Sequence, residues 1–189
     1  YSFEIFKKEI SEMPEYYFDS IELNNKNLVN DFFNIWEEAY KNKVFQFNNF
    51  VHKDFNINNL ILLPHEHNHL KCGVIDFQSG FWGENCWDLF SLLEDSRTYF
   101  SNDYNDYFIN HYYSKTKLNI SLNEFKKNYN FLNLSRQTRL LGRWIKLSKE
   151  TDKKFYLNFL PITEKRLKNS LNFIKDSDLI KFYNKYIIK

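Results

Sequence analysis

Leu28, Phe32, Ile35, Trp36 and Ala39 recur at steps of three and four, which lays one apolar stripe along a helix. Residues 88–95 are apolar on nearly every side, as in a buried helix. Ser121, followed three positions later by Glu124, forms a capping box. The positions Phe125, Tyr129, Leu132, Leu140, Trp144 and Leu147 then predict the longest helix of the chain, broken near its middle. Pro161 suits the first position of another helix that carries Leu167, Leu171 and Ile174. Asp176 to Asp178 can cap a last one with Leu179, Phe182, Tyr183 and Tyr186. The pattern changes only between about Phe47 and Asp76. There Leu60-Ile61-Leu62-Leu63 and the run Leu70 to Ile75 are short, apolar and separated by a Pro, His and Asn cluster, which predicts a β-hairpin. No repeat, low-complexity linker or long polar run divides the chain, so it reads as one α+β domain, mainly α, with a small β-hairpin.

Composition narrows the function classes. With 20 Phe and 13 Tyr but only four Gly and three Pro, the 189 residues are neither disordered nor a turn-rich sandwich. The formal charge of +2 does not suit a dedicated nucleic-acid binder. It conceals an asymmetry. Residues 1–135 carry 12 Lys or Arg against 19 Asp or Glu, net −7, and residues 136–189 carry 14 against 5, net +9. An acidic half that collects metal and a basic half that faces anions would suit a phosphate enzyme, and local ion pairing gives the same arithmetic. Cys72 and Cys86 make neither a disulfide framework nor a metal-binding spacing, which points to a reducing compartment, the cytoplasm. The strongest apolar run, Leu60 to Leu63, stops at Pro64, so no membrane partner is expected.

The hairpin matters for what it joins. It sets Asn59 at the start of one strand and Asp76 at the end of the other, and antiparallel pairing brings those two positions together. Asn59 also closes the run His52-Lys53-Asp54-Phe55-Asn56-Ile57-Asn58-Asn59. In phosphoryl transfer by kinases a loop Asp accepts the proton of the attacking hydroxyl, an Asn five residues later holds magnesium, and a second Asp on a nearby hairpin holds it too. Asp54 meets the first requirement, Asn59 and Asp76 the others. One carboxylate, one amide oxygen and the phosphates of ATP suffice for Mg2+, which favours oxygen ligands and keeps several waters. The plain alternative is that these are ordinary turn residues. His52 is expected to hold the loop by hydrogen bonds, since Asp54 already fills the base role. His65, His67 and His69 alternate within the expected turn and read as turn residues before a metal site.

The run His52 to Asn59, the segment Cys72-Gly73-Val74-Ile75-Asp76-Phe77-Gln78 and the stretch Trp87-Asp88-Leu89-Phe90-Ser91-Leu92-Leu93-Glu94-Asp95 resemble the aminoglycoside phosphotransferase and choline kinase group. Within it they are most similar to bacterial kinases that phosphorylate N-acetylmuramate and N-acetylglucosamine at the anomeric hydroxyl. The stretch Arg136 to Leu147 with its central Gly142, Lys154 to Leu157 and Pro161 also resemble that subgroup. The resemblance implies the C-terminal lobe of a protein-kinase-like fold, with magnesium and ATP as cofactor and cosubstrate. Its small-molecule acceptor would be an amino sugar, and the intact enzyme would add an N-terminal nucleotide-binding lobe that this stretch does not supply. Aminoglycoside, choline and homoserine kinases share the motifs and stay open as alternatives, as does a noncatalytic lobe that binds a ligand or partner. Asp88 matches a family Asp that supports the catalytic loop. Gln78 is expected near the acceptor.

Arg136, Arg139, Arg143 and Lys146 share one helical face, which reads as a solvated or ion-paired stripe, with Arg136 or Arg139 as possible contacts to an acidic sugar substituent. Three departures from the group stand out. Lys53 occupies a usual Gly or Arg position, Ser79 replaces a common Asp, and Glu84-Asn85-Cys86-Trp87 replaces a small, Pro-containing segment that ends in Tyr.

Overall fold

The computed structural model describes residues 2–23 and 25–188, with the side chains of His69 and Asn102 outside the described set. In chain order its elements are α1 (Phe3–Ile10), a π-helical turn (Met13–Phe18), α2 (Lys26–Lys41), β1 (Asn49–Val51), β2 (Leu60–Leu62), β3 (Cys72–Val74) and β4 (Phe81–Gly83). They continue with α3 (Trp87–Leu93), α4 (Asn102–Lys115), α5 (Leu122–Glu150), α6 (Leu160–Ile174) and α7 (Ser177–Tyr186). The protein is α+β and mainly helical, as the pattern predicts. It divides into two compact units, one of residues up to Val44 together with those from Asn130 onward, the other Phe45–Tyr129.

The first unit is an aromatic-cored helical body. Phe6, Phe32, Trp36, Phe131 and Tyr183 are buried, with Phe6 against Trp36 at 5.4 Å and Trp36 edge-on to Phe131 at 5.6 Å between ring centres. The buried polar tips pair: Trp36 Nε1–H donates to the Tyr183 hydroxyl at 3.2 Å, and Tyr183 also bonds Thr138. Asp176 caps α7 by accepting from the backbone N–H groups of Asp178 and Leu179, and Pro161 lies in the first turn of α6, both where the sequence puts them.

One expectation fails in this unit. Helix α5 runs unbroken through Gly142. The glycine has a packing reason instead. A Cβ there would lie 1.9 Å from the carbonyl oxygen of Glu12, so the helix approaches the backbone at the start of the π-helical turn as closely as only glycine allows.

The second unit holds two small antiparallel sheets. β2 pairs with β3 in the register Leu60 with Val74, the predicted hairpin. β1 pairs with β4, Asn49 with Gly83 and Val51 with Phe81. The second pairing is not predicted, because three-residue strands are too short to display a period of two. The chain runs from β1 into the stretch 52–59, and from β4 into α3. Trp87 on α3 meets Phe81 edge-on at 5.0 Å and packs against Phe90, which in turn meets Tyr129 at 5.9 Å. Those rings anchor α3 beneath the strands. The capping box is formed, with Ser121 N–H donating to Glu124 Oε2 at 3.0 Å and Glu124 N–H to Ser121 Oγ at 3.2 Å. The Ser121 N–H, together with the Ser121 hydroxyl donating to the same Oε2 at 2.9 Å, lowers the Glu124 carboxyl below its ordinary value.

Candidate active site

Residues 52–59 form a tight loop whose two ends are joined through one residue of the hairpin. Ile75 donates its backbone N–H to the carbonyl oxygen of Asn59 at 3.0 Å, one step beyond the Leu60–Val74 pair. Its own carbonyl accepts from His52 Nε2 at 2.7 Å, so Nε2 carries the proton. His52 Nδ1 is buried and has no partner among the described residues. The next residue, Asp76, turns sharply in the left-handed region at φ 62°, ψ 38°. The antiparallel geometry argued from the sequence therefore brings the backbones of His52 and Asn59 onto the residue that directly precedes Asp76.

Asp54 is exposed, and its carboxylate is held by two amides. Asn59 Nδ2 donates to the Asp54 carbonyl at 2.8 Å and to Asp54 Oδ2 at 3.3 Å. Asn56 Nδ2 donates to the same carbonyl at 3.0 Å and to Oδ1 at 2.9 Å, while its own Oδ1 accepts the N–H of Asn58. Asn56, 1% exposed, is a site residue that the reading of the sequence missed. Its signal was available: an Asn two residues before another Asn at a turn is poised for this local bonding. Asn59 is buried, Asp76 exposed, and with the Asn59 nitrogen spent on Asp54 its oxygen is the atom left for a cation. A carboxylate and an amide oxygen are the hard donors that magnesium takes, so the residues fit that ion.

Asp88, on the first turn of α3, reaches the other end of the loop. Its Oδ2 accepts the backbone N–H of His52 at 2.7 Å and its Oδ1 that of Lys53 at 3.0 Å. Burial raises the Asp88 carboxyl above its ordinary value, and the two N–H groups and the nearby His52 pull it back. Lys53 sits at φ 75°, with its ammonium 5.5 Å from the centre of the Phe81 ring. A non-glycine residue with that φ, its N–H and that of the preceding His52 both donated to one carboxylate, marks a strained backbone directly before Asp54.

Gln78 is exposed, in the short 3-10 turn Phe77–Ser79 that follows Asp76. Arg136 and Arg139 belong to the other unit, on α5; Arg136 is buried and Arg139 half-buried. On the same stripe Arg143 pairs with Glu12 at 2.9 Å and Lys146 reaches it at 4.0 Å. Burial nevertheless raises the Glu12 carboxyl, against the pull of Arg143, Arg139 and Lys146. The ion-paired reading of the stripe thus describes Arg143 and Lys146. Among the described residues no helix is long and apolar enough to cross a membrane.

Comparison with known proteins agrees with the geometry. The sequence model of the ecdysteroid kinase-like family matches residues 2–124. The N-acetylmuramate/N-acetylglucosamine kinase of Caulobacter vibrioides is 29% identical over 112 residues, covering 59% of this chain and 31% of that kinase. The chain therefore spans about a third of the length of that relative. With the family match extending over most of its length and through every residue of the loop, the hairpin and the first turn of α3, the chain belongs to the ecdysteroid kinase-like family, of the aminoglycoside phosphotransferase and choline kinase-like superfamily that its motifs resemble.

Proposed function

We propose that this chain is the catalytic-loop lobe of a small-molecule kinase that transfers phosphate from ATP to a hydroxyl of an amino sugar of the N-acetylmuramate or N-acetylglucosamine kind. The observation that carries the reading is the pair of hydrogen bonds that Ile75 makes to His52 and Asn59, which ties both ends of the loop around Asp54 to the residue before Asp76. Asp54 is the base: its exposed carboxylate, fixed by Asn56 and Asn59, accepts the proton of the attacking hydroxyl and orients that oxygen. Asn59 and Asp76 would hold magnesium, which would supply neutralisation of charge on the transferred phosphate. His52 and Asp88 keep the loop in shape, and the rate gain comes mainly from positioning and preorganised charge. The amino-sugar acceptor rests on the motif resemblance and on the named relative.

A nucleotide-binding lobe completes the site in this reading. The hairpin and its ends leave apolar surface uncovered: Ile61, Leu62, Leu70, Val74, Ile75 and Phe77 are all exposed, Leu62 at 75% and Phe77 at 65%. So much apolar surface around a functional loop marks a place where something docks, and a lobe that brings ATP to Asp76 would cover it. A requirement for ATP, with two cysteines that form no disulfide framework, supports a cytoplasmic location in this reading.

Asp54→Ala in the full-length protein tests the assignment. Phosphate transfer is expected to be abolished while nucleotide binding is retained; unchanged turnover removes Asp54 from the role of base. A panel of N-acetylmuramate, N-acetylglucosamine, an aminoglycoside, choline and homoserine separates the acceptors by kcat/KM.

A further inference from the structure

Glu84 lies in the segment where the chain departs from its group, and it is completely buried. Burial raises its carboxyl above the ordinary 4.5, partly offset by two hydrogen bonds. One comes from the backbone N–H of Gln46, which donates to Glu84 Oε2 at 2.6 Å; the other comes from the side chain of Asn128 on α5. The other oxygen, Oε1, is buried with no partner among the described residues. A fully buried carboxylate is costly to keep, and one retained with its bonds on backbone is spent on holding that backbone.

What it holds is the strand that feeds the catalytic loop. The ladder of β1 and β4 ends at the Asn49–Gly83 pair. Beyond it, where backbone pairing has stopped, the Glu84 side chain adds one more rung by reaching Gln46. Four residues later Asp88 takes the N–H groups of His52 and Lys53. The two carboxylates are tied to each other by the turn between them, in which the Glu84 carbonyl accepts the N–H of Trp87 at 2.9 Å. One short segment, Glu84 to Asp88, thereby grips residues 46–53 at both ends.

We propose that Glu84 is a positioning residue, the second grip of a two-point clamp that sets β1, and through it Asp54, relative to α3. This rests on the proposed phosphate transfer only for its effect on rate. The clamp itself is a property of the backbone. Asp88 alone fixes the end of the segment but leaves β1 free to pivot about it, and three ladder pairs are a short lever. Displacement of a reacting group by about 1 Å costs up to roughly a hundredfold in rate.

Two readouts on the full-length protein decide the matter: steady-state kinetics and amide hydrogen exchange, for Glu84→Ala and Glu84→Gln. Glutamine keeps an oxygen to accept from Gln46, so it is expected to restore what alanine removes. Alanine should lower kcat by about tenfold or more with KM for the acceptor within roughly twofold. It should also speed exchange at Gln46 and, at the far end of the clamp, at His52 and Lys53 by about tenfold. Faster exchange at Gln46 with no change at His52 and Lys53 overturns the clamp, and so does an equal loss in both variants. Where Glu84→Ala does not fold, Glu84→Asp takes its place, because its arm is one methylene too short for Gln46, and the same comparison holds. If the wild-type protein transfers no phosphate, the kinase reading fails while the exchange data still decide the clamp.

Discussion

The carboxylate of Asp88 accepts the backbone N–H of His52 at 2.7 Å with one oxygen and that of Lys53 at 3.0 Å with the other. Both oxygens of one side chain are thus committed to the start of the loop that carries Asp54, from a helix whose rings are buried in the same unit. Asp88→Ala leaves the two N–H groups without acceptors and should lower stability by about 3 kcal/mol, since each bond to a charged group contributes about 1.5–3 kcal/mol. Asp88→Asn keeps one accepting oxygen and should lose roughly half as much. Urea midpoints for the two variants check the order; a loss in the asparagine variant as large as in alanine would mean that charge, not the pair of bonds, is what Asp88 supplies.

Lys53 stands at φ 75°, a conformation in which a side chain costs about 1–2 kcal/mol relative to glycine. Lys53→Gly should therefore raise the denaturation midpoint, by about 1 kcal/mol in stability after allowance for glycine's freer unfolded chain and the lost contact over Phe81. A fall in stability would show that the ammonium over Phe81 outweighs the relief of strain.

The sequence carried the loop and hairpin because their requirement is spacing: five residues from Asp54 to Asn59 and one hairpin to Asp76. It carried α2, α6 and α7 because each buries one stripe, and Pro161 and Asp176 mark the starts of the last two. What escaped it depends on contacts remote in sequence. Nothing near Glu84 announces that Gln46 will donate to it, and the strands β1 and β4 are too short to show alternation. The left-handed turns at Lys53 and Asp76 have no glycine to signal them. The π-helical turn at Met13–Phe18 gives no periodic pattern of its own. A stripe legible on one helix, such as the one that carries Arg136 and Arg139, says nothing by itself of what faces it.

Gly142 offers the sharpest packing test. Its missing side chain is replaced by the backbone of Glu12, with the carbonyl oxygen 1.9 Å and the carbonyl carbon 2.3 Å from where a Cβ would be. Alanine ordinarily stabilises the middle of a helix relative to glycine by about 1 kcal/mol. Here the clash is with backbone, which cannot swing aside as a flexible side chain can, so Gly142→Ala should instead destabilise by about 3 kcal/mol or more. Chemical denaturation checks the sign: a stabilised variant would show that α5 and the π-helical turn can separate at little cost.

The pH dependence of stability should carry the signature of Glu84. Burial is the largest influence on its carboxyl and lifts it above 4.5, although Gln46 and Asn128 both favour the charged form. The folded state therefore binds the proton more tightly than the unfolded state does. Stability from this group is fully present below pH 4.5 and is lost as pH rises through the raised folded value. Glutamine at this position has no proton to lose, so the stability of the wild type relative to Glu84→Gln should decline as pH increases from 4.5. Urea midpoints of both proteins, measured from roughly pH 4 to 8, give that difference directly, because every other titrating group is common to the pair. A difference that grows with pH would mean that the carboxylate is better solvated in the fold than in the unfolded chain, and that its bonds to Gln46 and Asn128 outweigh its burial.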